Sequence, residues 1–191
     1  PYHDPRVNPC QGTGYLADAD PSRHMPTQGT ISLEQGGSLG SDPALQVPKL
    51  DVYGDYKSKG QMYAIGAEFY QLFSSSGLCS LLLVNNTAPV AEFVAAVTGW
   101  DFSWAEGLKA GRRILTLRQA FNACEGLSPD DFKLPERVMV PASVGPSTGV
   151  KIDFDSLKNG YFAAMGWDIK TGKPHRQTLI ELGLDELTSD R

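Results

Sequence analysis

A chain of 191 residues, 41% hydrophobic and 20% charged, has the size of one domain with room for a real core. Its net charge of −5, with no Lys/Arg run longer than Arg112-Arg113, excludes a phosphate-backbone binder, which needs a basic stripe. No apolar run reaches membrane-spanning length, since Leu81 to Val84 ends at Asn85-Asn86.

In chain order, residues 1–48 come first. They hold Pro1, Pro5, Pro9, Pro21, Pro26, Pro43 and Pro48, with glycines at 12, 14, 29, 36, 37 and 40. Proline removes backbone donors and glycine adds backbone entropy, so a long loop is expected here. The loop is chemically varied: Tyr2, His3, Asp4, Arg6, Tyr15, Arg23, His24 and Met25 could contact a ligand or a neighbouring domain, or simply be solvated. From Gly60 the pattern becomes helical. Met62, Ile65, Phe69, Leu72 and Phe73 predict an amphipathic helix over 61–75, with Gly77 placed to reverse the chain. Leu78 to Val84 reads as a further turn or two of buried helix.

Thr87-Ala88-Pro89 predicts a capped helix that carries Val90, Phe93, Val94 and Val97 on one face and stops at Gly99. Ser103-Trp104-Ala105-Glu106 has capping-box spacing and opens the longest helix, 103–125, with Trp104, Leu108, Leu115 and Phe121 inward. Lys109, Arg112, Arg113 and Arg118 form its basic, solvated face. Residues 133–150 form an irregular connector with an extended piece at Arg137 to Val140. Asp153 caps a helix over 154–165 that ends at Gly166, and a last helix covers 176–182. The class is mostly α, an irregular multi-helix domain behind a long Pro/Gly-rich N-terminal loop region. Residues 1–59 form a loop-rich segment able to contact a ligand or a neighbouring domain, and 60–191 is a helical body within a single unit, 1–191. The chain begins at Pro1 without Met or a signal-like segment, so it is expected to be part of something longer.

Cys10, Cys79 and Cys124 are odd in number and widely spaced, which fits a reducing, cytoplasmic compartment better than a disulfide framework. Cys79 follows a Ser-rich Gly-Leu turn. With Leu78 and Leu81 to Val84 as company, its residue type favours a small buried hydrophobe. The other possibility is a thiolate beside free backbone N–H groups that ligates metal. One thiolate cannot hold an iron–sulfur cluster, which needs four ligands. His24, beside Arg23 in a polar loop, is either a solvated histidine or a proton-transfer group. Residue types alone go no further than a helical domain of unknown role.

Several stretches taken together carry a resemblance. These are His3-Asp4-Pro5-Arg6, Tyr15 to His24, Ser76-Gly77-Leu78-Cys79, Ala96 to Asp101, Leu117 to Asn122, Phe132 to Arg137, and Ala164 to Asp168. In order and spacing they resemble the C-terminal domain of the tungsten-containing aldehyde ferredoxin oxidoreductases. That resemblance implies an all-helical domain packed against an N-terminal β domain and a middle helical domain of the same polypeptide. It further implies a tungsten (or molybdenum) bis-pterin and a [4Fe–4S] cluster held jointly by these domains.

By the same resemblance Cys79 is the fourth cluster ligand, and Ser74, Gly77 and Leu78 belong to a pterin-binding turn. Ser74 replaces the Asp or Asn usual in that motif, so its contact to a pterin edge is a hydroxyl's and not a carboxylate's. His24 matches the histidine beside the metal, and Asp4 and Arg6 would lie near the cofactor or channel. The implied reaction oxidises a small aldehyde to a carboxylic acid, with ferredoxin as electron acceptor; a homodimeric full-length protein is compatible with it. The chain alone is expected to be inactive and to bind neither cofactor. A related branch that reduces aromatic-ring thioesters, and a cofactor-free helical interaction module, are the alternatives.

Overall fold

The computed structural model of the chain describes residues 3–21, 23–27, 30, 33–34, 39, 45, 49–79 and 88–188. Its helices are α1 (Pro9–Ala17), α2 (Tyr56–Ser75), α3 (Val90–Thr98), α4 (Trp104–Cys124), α5 (Glu136–Met139), α6 (Phe154–Met165) and α7 (Arg176–Glu181). Single 3-10 turns occur at Met25–Thr27, Pro129–Asp131 and Asp185–Thr188. Among the described residues there is no strand, only isolated bridges at Ala142–Thr148 and Trp167–Pro174.

Helix α2 is the element against which the others pack. Asp55 opens it in the left-handed region at φ 46°, with its side chain accepting from the Ser58 amide. A short polar side chain tolerates that conformation better than most. Both long partners of α2 approach it through glycine. A Cβ on Gly60 would collide with the Leu157 carbonyl and lie 2.6 Å from the Tyr161 amide nitrogen, both on α6. One on Gly160 would collide with the Lys57 carbonyl on α2. On the far side, a Cβ on Gly111 of α4 would strike the Glu68 carbonyl. Backbone therefore meets backbone at both crossings.

Around these crossings the core fills with aromatic rings. Tyr63 meets Tyr161 edge-on at 5.0 Å, Tyr161 meets Trp167 at 5.5 Å, and Phe69 stacks on Trp104 at 5.5 Å. Rings that interlock in this way add to the stabilisation from apolar burial.

Polar groups are buried in the same core. Lys59 Nζ donates to Glu34 Oε1 at 2.7 Å, and both side chains are fully buried. The Cys10 amide donates to Glu34 Oε2 at 3.3 Å. Tyr63 donates its hydroxyl to the buried Asp18 at 2.7 Å. Burial pushes the Asp18 carboxyl up to about 6 in spite of the amide and hydroxyl it accepts from.

Several expectations are corrected. The N-terminal stretch is not all loop: Pro9–Ala17 is a helix. Proline at the first helical position costs no hydrogen bond. Gly12 and Gly14 stand inside it because Phe154 and the Thr27–Tyr63 pair occupy the space a Cβ would need. Helix α2 begins at Tyr56, ahead of the expected start. Beyond it Leu78 and Cys79 are not helical, and the rest of the Leu78 to Val84 stretch, like the Thr87 cap, lies outside the described residues. Of the apolar face of α3, Val90 is buried and Val94 half-buried, whereas Phe93 and Val97 are exposed.

On α4, Leu115 is buried but Phe121 is exposed, because no described helix packs over the C-terminal turns of that face. Arg112 is not merely solvated, since its Nε donates to Glu68 at 2.6 Å. The extended piece at Arg137 to Val140 is a helical turn through Met139, opened by Pro135 at its cap. The helices at Trp104–Cys124, Phe154–Met165 and Arg176–Glu181 stand where the sequence placed them.

Gly160→Ala should lower stability by at least about 2 kcal/mol, because the two helices must separate. Gly99→Ala, where a Cβ meets only open space at φ 73°, should cost about 1 kcal/mol from torsion alone. Urea midpoints of the two variants measure the difference. Asp18 gives a pH test. Its folded value lies above the ordinary 3.8, so the stability it allows is full below about pH 4 and is lost as pH rises through 6. The stability difference between the native protein and Asp18→Asn should therefore change by up to about 3 kcal/mol between pH 4 and pH 6, read from urea titrations across that window.

Candidate functional site

The residues nominated from sequence fall into two groups on the scaffold. The first is N-terminal. Arg6 grips Asp4 through Nε at 3.1 and 3.2 Å and Nη2 at 2.7 Å, and its own amide donates to the same carboxylate at 2.9 Å. These bonds to Arg6 hold the Asp4 carboxyl below the usual carboxylate range. Arg6 Nη1 also donates to the Arg137 carbonyl at 3.2 Å, which ties the segment to α5. The Asp4 carbonyl accepts from Val7 and Asn8 and turns the chain into α1.

His24 is exposed, and its ring lies 4.4 Å from that of His3, tilted by 47°. Its carbonyl accepts from the Thr27 amide and hydroxyl, which fixes the backbone of the turn at Met25–Thr27. Thr27 in turn packs beside Gly14 and Tyr63. Asp4, Arg6 and His24 are thus joined into one neighbourhood through His3. A cavity of about 590 Å³ opens there, lined by His3, Arg6, Tyr15, Lys133 and Arg137 among others.

The second group ends α2. The Ser76 amide donates to Leu72 and Phe73, and the Gly77 amide donates to the Ser74 carbonyl. Gly77 then takes φ 73°, the left-handed conformation that closes many helices. Leu78 packs half-buried against the core, whereas Ser74, Gly77 and Cys79 are exposed. The burial favoured by Cys79's residue type is overturned: Leu78 takes the inward position and the next residue faces out. The buried thiol is Cys10, pushed well up by desolvation beside Glu34. Among the described residues, no backbone hydrogen bond uses the amides of Leu78 and Cys79.

No hydrogen bond or ion pair among the described residues joins the two groups. Tyr63, beside which the His24 turn packs, and Ser75 are separated by about 18 Å of helix axis at 1.5 Å per residue. Among the described residues no three His, Cys, Asp or Glu side chains gather into a metal site. No described helix is long and apolar enough to cross a membrane. A further cavity of about 690 Å³, beside the Glu68–Arg112 pair and bounded by α4, α6 and α7, contains none of the nominated residues.

The chain was compared with known proteins. The family model described as aldehyde ferredoxin oxidoreductase, domains 2 and 3, matches residues 1–184. The chain belongs to that family. Tungsten-containing aldehyde ferredoxin oxidoreductase of Pyrococcus abyssi is 30% identical over 190 residues, and that of Pyrococcus furiosus is 28% identical over the same length. Each comparison covers 97% of this chain but 30% of the relative, so the chain spans under a third of the length of the relatives it matches.

For an aldehyde ferredoxin oxidoreductase domain, the donor set fits a cluster completed from elsewhere. Cys79 presents one accessible thiol on a turn whose Leu78 and Cys79 amides make no backbone hydrogen bond among the described residues, the kind of donors that tune cluster sulfurs. Sequence reasoning missed the buried set of Glu34, Lys59, Asp18 and Tyr63. Its pairs lie 25 and 45 residues apart in the chain, and no local spacing announces them.

Alkylation offers a direct check. In protein stripped of metal, Cys79 and Cys124 should react with iodoacetamide and Cys10 should not, read by peptide mass spectrometry.

Proposed function

We propose that this chain is the C-terminal domain of a tungsten (or molybdenum) pterin, [4Fe–4S] oxidoreductase that oxidises aldehydes to carboxylic acids with ferredoxin as acceptor. The observation that carries it is an accessible Cys79 thiol on the left-handed turn ending α2, in a chain of this family. Overall, an aldehyde and water give a carboxylic acid, two protons and two electrons. The bound cofactor supplies the two-electron chemistry, and the cluster passes electrons onward one at a time.

The chain's own residues hold, orient and protonate. Cys79 would supply one cluster thiolate, and the Leu78 and Cys79 amides would be available as backbone donors beside it. Ser74 and Gly77 present a hydroxyl and a bare backbone to a pterin edge. His24 holds or passes a proton at an imidazole nitrogen beside the reacting oxygen. The Asp4–Arg6 clamp positions the segment that carries His3 against His24. The remaining cluster ligands come from other domains of the same polypeptide. This chain alone offers one thiolate of the four required, and isolated it is inactive.

In the intact protein, Cys79→Ser should lower iron content and alter the electron paramagnetic resonance of the reduced cluster; unchanged iron and spectrum would remove Cys79 from the ligand set. His24→Asn should keep pterin and metal content while kcat falls by roughly a hundredfold or more. An undiminished kcat would remove His24 from proton transfer.

A further inference from the structure

Within the stretch Phe132 to Arg137, Lys133, Leu134, Pro135 and Arg137 line the 590 Å³ cavity together with His3, and the Lys133 and Arg137 side chains have no role so far. The charges there are unbalanced. Asp4 is committed to Arg6, whose fork is occupied by that carboxylate and by the Arg137 carbonyl. Asp131, near enough to Lys133 to feel its charge, is held by the Ser128 amide and hydroxyl at 2.7 and 3.0 Å. Among the described residues no ion pair engages Lys133 or Arg137, and both are exposed. Two cationic side chains therefore border a cavity whose other rim is His3, itself 4.4 Å ring to ring from His24.

We propose that this cavity is an anion subsite that selects aldehydes carrying a second, negatively charged group. Lys133 and Arg137 receive the anion, while the aldehyde carbon reaches toward His24 across His3. Guanidinium and ammonium groups bind carboxylate and phosphate oxygens through charge-assisted hydrogen bonds, and arginine does so in bidentate fashion. The proposal rests on the assignment of His24 to the reaction site. The substrate class is then a short semialdehyde of a dicarboxylic acid.

The test uses the intact, metal-loaded protein and the pair succinic semialdehyde and its methyl ester, which differ in the charge of the distal group. The unsubstituted protein should prefer the charged member in kcat/KM. In the double variant Lys133→Gln/Arg137→Gln, which removes both charge-assisted contacts, that preference ratio should fall by at least roughly tenfold. No preference in the unsubstituted protein, or an unchanged ratio in the variant, overturns the subsite. An unchanged ratio with reduced pterin content assigns the two cations to a cofactor phosphate and also overturns it. Calorimetric binding of succinate is measured in parallel. If neither aldehyde is oxidised by the unsubstituted protein, the oxidoreductase assignment fails, and succinate binding that disappears in the double variant still supports the anion subsite. Equal or absent succinate binding in both forms refutes it.

Discussion

The architecture depends on two places where helix backbones touch. Gly60 and Gly160 let α2 and α6 meet main chain to main chain, and Gly111 does the same for α4 against α2 at Glu68. At such a distance side chains cannot intervene, so the crossing points are set by where glycine occurs and not by how larger residues interdigitate. The aromatic rings then fill the wedges that open away from each crossing. Tyr63, Tyr161 and Trp167 occupy one wedge, and Phe69 with Trp104 another. Close-packed interiors transmit small changes in volume, so the placement of α2 determines both the segment near His24 and the turn after Ser75.

Charge buried beside α2 adds specificity to this frame. Lys59 on α2 and Glu34 from the N-terminal third meet with both side chains fully buried, and Cys10 adds an amide to the same carboxylate. A charge left alone there would be far more costly than an apolar pair, so the arrangement tolerates one register between these segments. Asp18 and Tyr63 repeat the pattern near the end of α1. The N-terminal segment, rich in proline, is held to the helices by these few polar contacts as well as by apolar packing.

How much of this was legible in the sequence depended on range. Ser103, Asp153, Gly99 and Gly166 marked helix ends correctly because capping is a local matter of hydroxyls, carboxylates and left-handed glycine. The helix at Pro9–Ala17 was hidden because its two glycines are there for contact with Phe154, Thr27 and Tyr63, which no window of adjacent residues contains. The exposed Phe93, Val97 and Phe121 misled for the opposite reason: their spacing is helical, but within this chain the face they form is left uncovered. At the candidate site, the turn at Gly77 was legible from local pattern, whereas the roles of Cys79 and His24 were legible only as a resemblance. The pairing of His3 with His24, the clamp from Arg6 to Arg137 and the outward set of Cys79 needed coordinates.

The turn at Gly77 differs in kind from the glycine crossings. A Cβ at Gly77 would meet nothing within 4 Å, and among the described residues of this turn Leu78 packs against the core. The bundle and the thiol-bearing loop are consequently separable parts. Changes at the crossings propagate through the whole scaffold, whereas a side chain at position 77 would meet no atom of the helices. Such independence would let the electrostatic surroundings of the exposed sulfur drift, or be engineered, while the fold that presents it stays constant.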